Sequence, residues 1–307
     1  MSEGLESIRK ELQRLQQEGV ERIFADEATL RLLQTSENSV EAPAVESVSN
    51  TSSQPKKSID QQETHKKPRV NSPAKKQAAR AEIKAIPKTP AQFKLPAGDK
   101  TKRMDWLRER VENCEVCREH LSGNGKIVFG AGSVDAEIFF CGEAPGADEA
   151  VQGEPFVGKA GQLLSKIIQA AGLEREMVYI ANILKWRPEH EKAFGNRPPT
   201  IEEMNFCLPY LQAQIDIVSP KVIVALGNTA VSGLLGPDPN RKLGSVRGKW
   251  HAFNDIPMMI TFHPSYLLRN GTLQTKRTVW EDMLQVMKKV ELPISEKQKS
   301  FFLPKKK

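Results

Sequence analysis

Apolar residues recur along residues 4–34 at Leu5, Ile8, Leu12, Leu15, Val20 and Ile23, then at Leu30, Leu32 and Leu33. Steps of three and four place such side chains on one helical face, so the pattern predicts one or two amphipathic helices. The pattern then stops. From Gln34 to Lys100, Ser, Pro, Lys, Ala and Gln predominate and Phe93 is the sole aromatic residue. Such a segment buries too little apolar surface to offset its chain entropy, which predicts a disordered linker over residues 35–100.

Periodicity returns near Met104, with a helix expected over residues 101–113. Apolar runs at 136–141, 178–183 and 222–226 predict strands, with a shorter pair near 249–253 and 258–262. Between them, helices are expected at 162–171 (stopped by Gly172), 201–218 and from Thr229, with a closing helix near 276–290. The strand runs are apolar throughout rather than alternating, as in sheets covered on both faces. The expected fold is α/β, a three-layer α/β/α sandwich around a mostly parallel sheet. The expected organisation is an N-terminal helical segment (1–34), the linker (35–100), a catalytic domain (101–292) and a basic tail (293–307).

Composition narrows this picture. No stretch reaches the roughly 20 apolar residues needed to cross a bilayer, and the polar start with Glu3, Glu6 and Lys10 does not read as a signal peptide. The four cysteines, Cys114, Cys117, Cys141 and Cys207, are too few for a disulfide framework. They fit the reducing cytoplasm and a metal site. Residues 51–100 carry twelve Lys or Arg against four Asp or Glu, a surplus that exceeds the whole chain's net charge of +7. This is either a solvated linker or a tethered basic arm drawn to a polyanion.

The candidate chemistry sits at strand ends, where α/β sheets place their sites. After the strand ending at Cys141 comes GEAPG (142–146), a glycine turn of the kind that cradles phosphate at a helix start. No lysine follows its last glycine, and Glu143, Asp148, Glu149 and Glu154 crowd it, so phosphate is a poor occupant. Further unusual stretches are EPFVGKAGQLL (154–164), YIANILKWRP (179–188), GNRPPTIEEMNFCLPYL (195–211) and HPSYLLR (263–269). Taken together and in this order, they resemble the type-4 uracil-DNA glycosylases over about residues 104–290.

The resemblance implies an enzyme that flips uracil out of DNA, cleaves its N-glycosidic bond and leaves an abasic site for base-excision repair. It implies uracil-containing DNA, single- or double-stranded, as partner, no membrane, and a monomer. Phe156 would stack on the base, Asn182 would read its edge, and His263 would stabilise charge on the leaving uracil. Gly142 and the backbone of Ala144 and Gly146 would line the pocket. Glu143 would position water, Ala144 standing where the best-known class of the superfamily has an aspartate. Ser265 and Arg269 would meet phosphate, and Leu267 or Tyr266 would fill the gap left by the base.

The family also carries a four-cysteine [4Fe–4S] cluster. Cys114, Cys117 and Cys207 match three ligands, but Trp186 stands at the remaining one and has no thiolate to offer. Cys141 lies at the pocket strand rather than at the matched position. Three arrangements stay open: three cysteines with an unusual fourth ligand, a site completed by His190, or no metal with Trp186 packed in its place. Two rival functions are a relative that traps the abasic sugar covalently, although FGNRPPT (194–200) lacks the histidine expected for it, and a non-catalytic DNA-binding module with a retained pocket.

Overall fold

A computed structural model describes residues 85–88, 91–188 and 196–303. The predicted N-terminal helices, most of the linker, His190 and the last four residues lie outside the described residues.

The described chain opens with helices α1 (Lys100–Glu112) and α2 (Glu115–Glu119), strands β1 (Ala131–Gly132) and β2 (Ile138–Gly142), and helices α3 (Ala147–Gln152) and α4 (Lys159–Ala170). It continues through β3 (Tyr179–Asn182), α5 (Ile201–Val218), β4 (Val222–Leu226), α6 (Gly227–Leu235) and α7 (Leu243–Val246). It ends with β5 (Trp250–Phe253), β6 (Ile256–Thr261), α8 (Pro264–Arg269), α9 (Leu273–Lys289) and α10 (Glu296–Ser300).

One six-stranded sheet runs in the order β1-β3-β2-β4-β6-β5. The inner four strands are parallel, and the edge strands β1 and β5 are antiparallel to their neighbours. Every residue of β2, β3 and β4 is buried, the burial expected of strands covered on both faces. One apolar layer joins Leu107, Phe139, Tyr179, Leu211, Ile223 and Ile260 beneath α1, α5 and α6. The other joins Phe140, Leu164, Ile168, Val224, Met283 and Val286 beneath α4 and α9. The predicted α/β/α sandwich is therefore observed. In parallel register Gly142 faces Asn182, and Leu226 faces Thr261, so the strands deliver their chemistry at one edge.

Helix α5 starts where the sequence predicts. Thr200 accepts from the Glu203 N–H at 3.2 Å, Glu203 Oε2 accepts from the Thr200 N–H at 2.7 Å, and Arg197 grips the same carboxylate through both terminal nitrogens. This reciprocal cap contributes on the order of 1 kcal/mol and fixes the 196–200 loop.

The end of the segment read as a disordered linker departs from expectation. Phe93 stacks on Tyr210 at 5.2 Å, and Ala91 donates to the Phe206 carbonyl at 3.4 Å. A single aromatic ring with Leu95 beside it suffices to dock these residues on α5, a contribution that average composition hides. At the other end, α10 packs on α9: Trp280 donates to the Gln298 carbonyl at 2.6 Å and meets the tilted Phe301 ring at 5.3 Å.

Candidate functional site

The carboxyl ends of β2, β3, β4 and β6 open into a cleft of about 840 Å³. Glu143, Ala144, Gly146, Phe156, Asn182, His263, Ser265 and Arg269 all line it. Eight residues singled out from the sequence, spread over more than a hundred positions, thus meet in one cavity. Gly142 lies behind its wall. A Cβ there would fall inside contact distance of Asn182 Oδ1 and the Phe156 ring. Glycine at this point is what lets the two side chains approach each other.

Phe156 holds its buried ring in the cleft from a left-handed backbone, φ 52°. A non-glycine residue in that conformation costs roughly 1 kcal/mol or more and persists only where its surroundings fix it. Here the fixing group is Glu149. Its carboxylate accepts from Gly146 N at 3.1 Å, Val157 N at 3.0 Å and Gly158 N at 3.0 Å. One side chain thereby ties the GEAPG turn to the PFVG loop. Glu149 stands in the sequence as one acid among four around this turn. Its place three residues after Gly146, at the third position of α3, is the one from which a carboxylate reaches back to the N–H before the helix.

Asn182 ends β3 and is 2% exposed. Its amide makes no side-chain hydrogen bond to the described residues, so donor and acceptor both remain for an occupant of the cleft. The backbone beneath it is held by Lys185, whose buried ammonium donates to the Asn182 carbonyl at 2.9 Å, to Gln214 Oε1 at 2.6 Å and to the Phe129 carbonyl at 3.3 Å. All three ammonium protons find acceptors. Burial pushes this lysine down to about 8, which leaves it protonated at neutral pH.

His263 caps α8. Its Nδ1 accepts from the Ser265 N–H at 3.1 Å and lies 2.9 Å from the Ser265 hydroxyl. A backbone N–H can only donate, so Nδ1 is unprotonated and Nε2 carries the ring proton. Desolvation, with the Arg269 cation second, pushes His263 down to about 4, so the ring is neutral at physiological pH. Its ring centroid lies 5.6 Å from that of Phe156. Gly227, at φ 86°, starts α6 so close that a Cβ would lie 3.0 Å from His263 Cβ. Burial also raises Glu143 above the ordinary glutamate value of 4.5, partly offset by a hydrogen bond from Thr229.

Ser265 and Arg269 reach the cleft, but Leu267 does not. It is 6% exposed and faces inward, whereas its neighbours Tyr266 and Leu268 are 37% and 52% exposed. On a single-turn helix only alternate faces reach solvent, and a sequence run of YLL does not say which. Tyr266 stacks on Phe262 at 4.6 Å, and both line the cleft. Asn196, Arg197, Asn228 and Thr229 complete its polar rim. None of these four was singled out for a role, since their nearness depends on tertiary packing.

The cysteines form a second, separate group. Cys117 and Cys207 are fully buried and Cys114 half-buried. Cys117 and Cys207 belong to one apolar layer, with Cys114 packed against it and Tyr210 beside Cys114. Cys141 sits apart on β2, its thiol facing its own strand's Gly142 carbonyl at 3.7 Å. Trp186 is fully buried against the His120 ring at 5.3 Å. Its Nε1, shut off from both cleft and solvent, has no hydrogen-bond partner among the described residues. That orphan costs about 1–3 kcal/mol. Burying roughly 200 Å² of indole returns about 5 kcal/mol, so the packing outweighs it. No set of three or more His, Cys, Asp or Glu side chains among the described residues is arranged to hold a metal ion. Three thiols are present and the matched fourth position is a buried indole, which offers no thiolate. These residues do not fit a four-iron cluster.

Comparison with known proteins gives the same direction as the cleft. Residues 129–284 match the family model described as the uracil DNA glycosylase superfamily. The chain is 43% identical over 183 residues to a type-4 uracil-DNA glycosylase of Thermotoga maritima, covering 59% of this chain and 91% of that protein. Proteins of the same name from Pyrobaculum aerophilum and Saccharolobus solfataricus are 38% identical over 174 residues and 36% over 191. The alignments cover 55% and 60% of this chain and 86% and 84% of those relatives.

Proposed function

This chain belongs to the uracil DNA glycosylase superfamily, and from that premise we propose that it is a uracil-DNA glycosylase, a hydrolase that excises uracil from DNA and leaves an abasic site for repair. The observation that carries the residue assignments is the meeting of a Phe156 ring, an unpaired Asn182 amide and a neutral His263 in one cleft.

A base inside the duplex is out of reach, so it rotates out of the stack into the cleft. There Phe156 stacks on its face. The Asn182 side-chain Oδ1 accepts from uracil N3–H and the side-chain amino group donates to O4. Cytosine reverses both partners and leaves a buried amide mismatched, which discriminates strongly against it.

As the C1′–N1 bond breaks, its electron pair moves onto the uracil ring and negative charge grows at O2. The Nε2–H of His263 donates to that oxygen. Because the ring is already neutral and held by Ser265, it stabilises the anion as a fixed dipole. The sugar turns cationic, and water adds its oxygen to C1′ and releases a proton. Glu143, above its ordinary value yet ionisable, orients that water and balances the sugar's charge. Ser265 and Arg269 meet phosphates beside the lesion. The apolar groups available to occupy the vacated stack are Tyr266 and Leu268.

We read the enzyme as a cytoplasmic monomer that accepts single- and double-stranded DNA. No helix among the described residues is long and apolar enough to cross a membrane. The test is incubation with single- and double-stranded oligonucleotides bearing one uracil, followed by alkali. Strand scission at uracil is expected, with none at cytosine, and Asn182→Ala should lose about 100-fold or more in excision. Intact strands with wild-type protein would sink the reading.

A further inference from the structure

We propose that this chain folds and works without a four-iron cluster, the indole of Trp186 occupying the corner where a fourth thiolate and the adjoining part of a cluster would lie. The inference concerns the thiol corner alone and leaves uracil excision untouched. Trp186 follows β3 on the loop that also carries Lys185, and it is among the largest fully buried side chains of the molecule. It belongs to the same apolar layer as Cys117, Cys207, Met204 and Phe206, with His120 over its ring. A cubane holds its four ligands apart around itself. Here the layer offers three thiols, Cys114, Cys117 and Cys207, and the matched fourth position is filled by a fully buried indole instead of a thiolate.

The neighbouring charge supports the same conclusion. A cluster held by thiolates is anionic, and a buried ammonium beside it would be its natural counter-charge. The Lys185 ammonium instead spends all three protons on neutral oxygens of Phe129, Asn182 and Gln214. Its position is satisfied without an anion beside it. Free cysteines packed in one apolar layer with an indole make a core that calls for no metal.

The test uses the full chain purified without oxygen. Iron, zinc and sulfide are measured together with absorbance at about 400 nm, before and after incubation with ferrous iron and sulfide and then desalting. The wild type should be colourless and hold substoichiometric metal in both states. Trp186→Cys restores a fourth thiol at the same corner. It should gain the band and about four irons per chain on the same treatment. Stoichiometric iron or zinc in the desalted wild type would overturn the proposal. So would a Trp186→Cys protein that has the wild-type circular dichroism spectrum yet takes up no more iron than the wild type, because the indole would then not be what excludes it.

Discussion

Glu143 and His263 face the same cleft, and burial shifts each toward its neutral form. For His263 that is the working form. Held down to about 4, it is neutral at the pH at which Glu143 carries its charge. For Glu143 the carboxylate is the working form, and its raised value means that activity is lost as pH falls through a point above 4.5. Single-turnover excision should therefore show an acid limb with a midpoint above 4.5. Glu143→Gln should lower the plateau by about 10- to 100-fold and remove that limb. An acid limb that persists unchanged in the variant would take Glu143 out of the mechanism. The sequence named both residues, but not their protonation states. Those follow from the Ser265 N–H, the Arg269 cation and the depth of the cleft, which are properties of packing.

The elements that build the cleft were legible in the sequence to differing degrees. Strands β2, β3, β4 and β6 stood out because unbroken apolar runs ending in Gly142, Asn182, Gly227 and His263 can be read directly. Helices α3, α7 and α8 are single turns, too short for periodicity to show. Their placement depends on contacts made far along the chain, and with it the inward turn of Leu267. The loop between β2 and α4 shows the same limit. Its GEAPG and PFVG segments were recognisable, but the bond between them was not. Glu149 makes that bond by accepting from three backbone N–H groups. Glu149→Gln keeps the shape and removes the charge and one acceptor. It should cost about 1–3 kcal/mol of stability in a denaturant melt and raise KM for uracil-containing DNA more than it lowers kcat. Unchanged stability together with unchanged KM would show that the loop is held elsewhere.

At the scale of the whole molecule, the surplus positive charge is concentrated in residues 51–100, while the cleft itself carries Glu143 and Glu149 among its lining. Arg197 and Arg269 also line the cleft, so the basic segment is expected to add long-range attraction to DNA to the phosphate contacts made there. Removing residues 1–90, which spares Phe93 and its stack on Tyr210, should weaken DNA binding several-fold at low salt. It should also flatten the dependence of affinity on salt concentration, with excision of a free-ended short oligonucleotide little changed. An identical salt slope in the shortened protein would assign the arm some other partner. The alternation of strands and helices made the sandwich legible. The docking of residues 91–95 was not, because it rests on one ring meeting one groove.

The order in which the parallel strands occur along the chain has a consequence for synthesis. His263 and Arg269 reach the cleft only through β6, the last of the four parallel strands to leave the ribosome. A nascent chain therefore exposes its basic segment well before it possesses a base pocket. Any product terminated before His263 lacks a complete cleft, however much of β2 and β3 it contains. Excision is a property that the chain acquires only once β6 and α8 have been made.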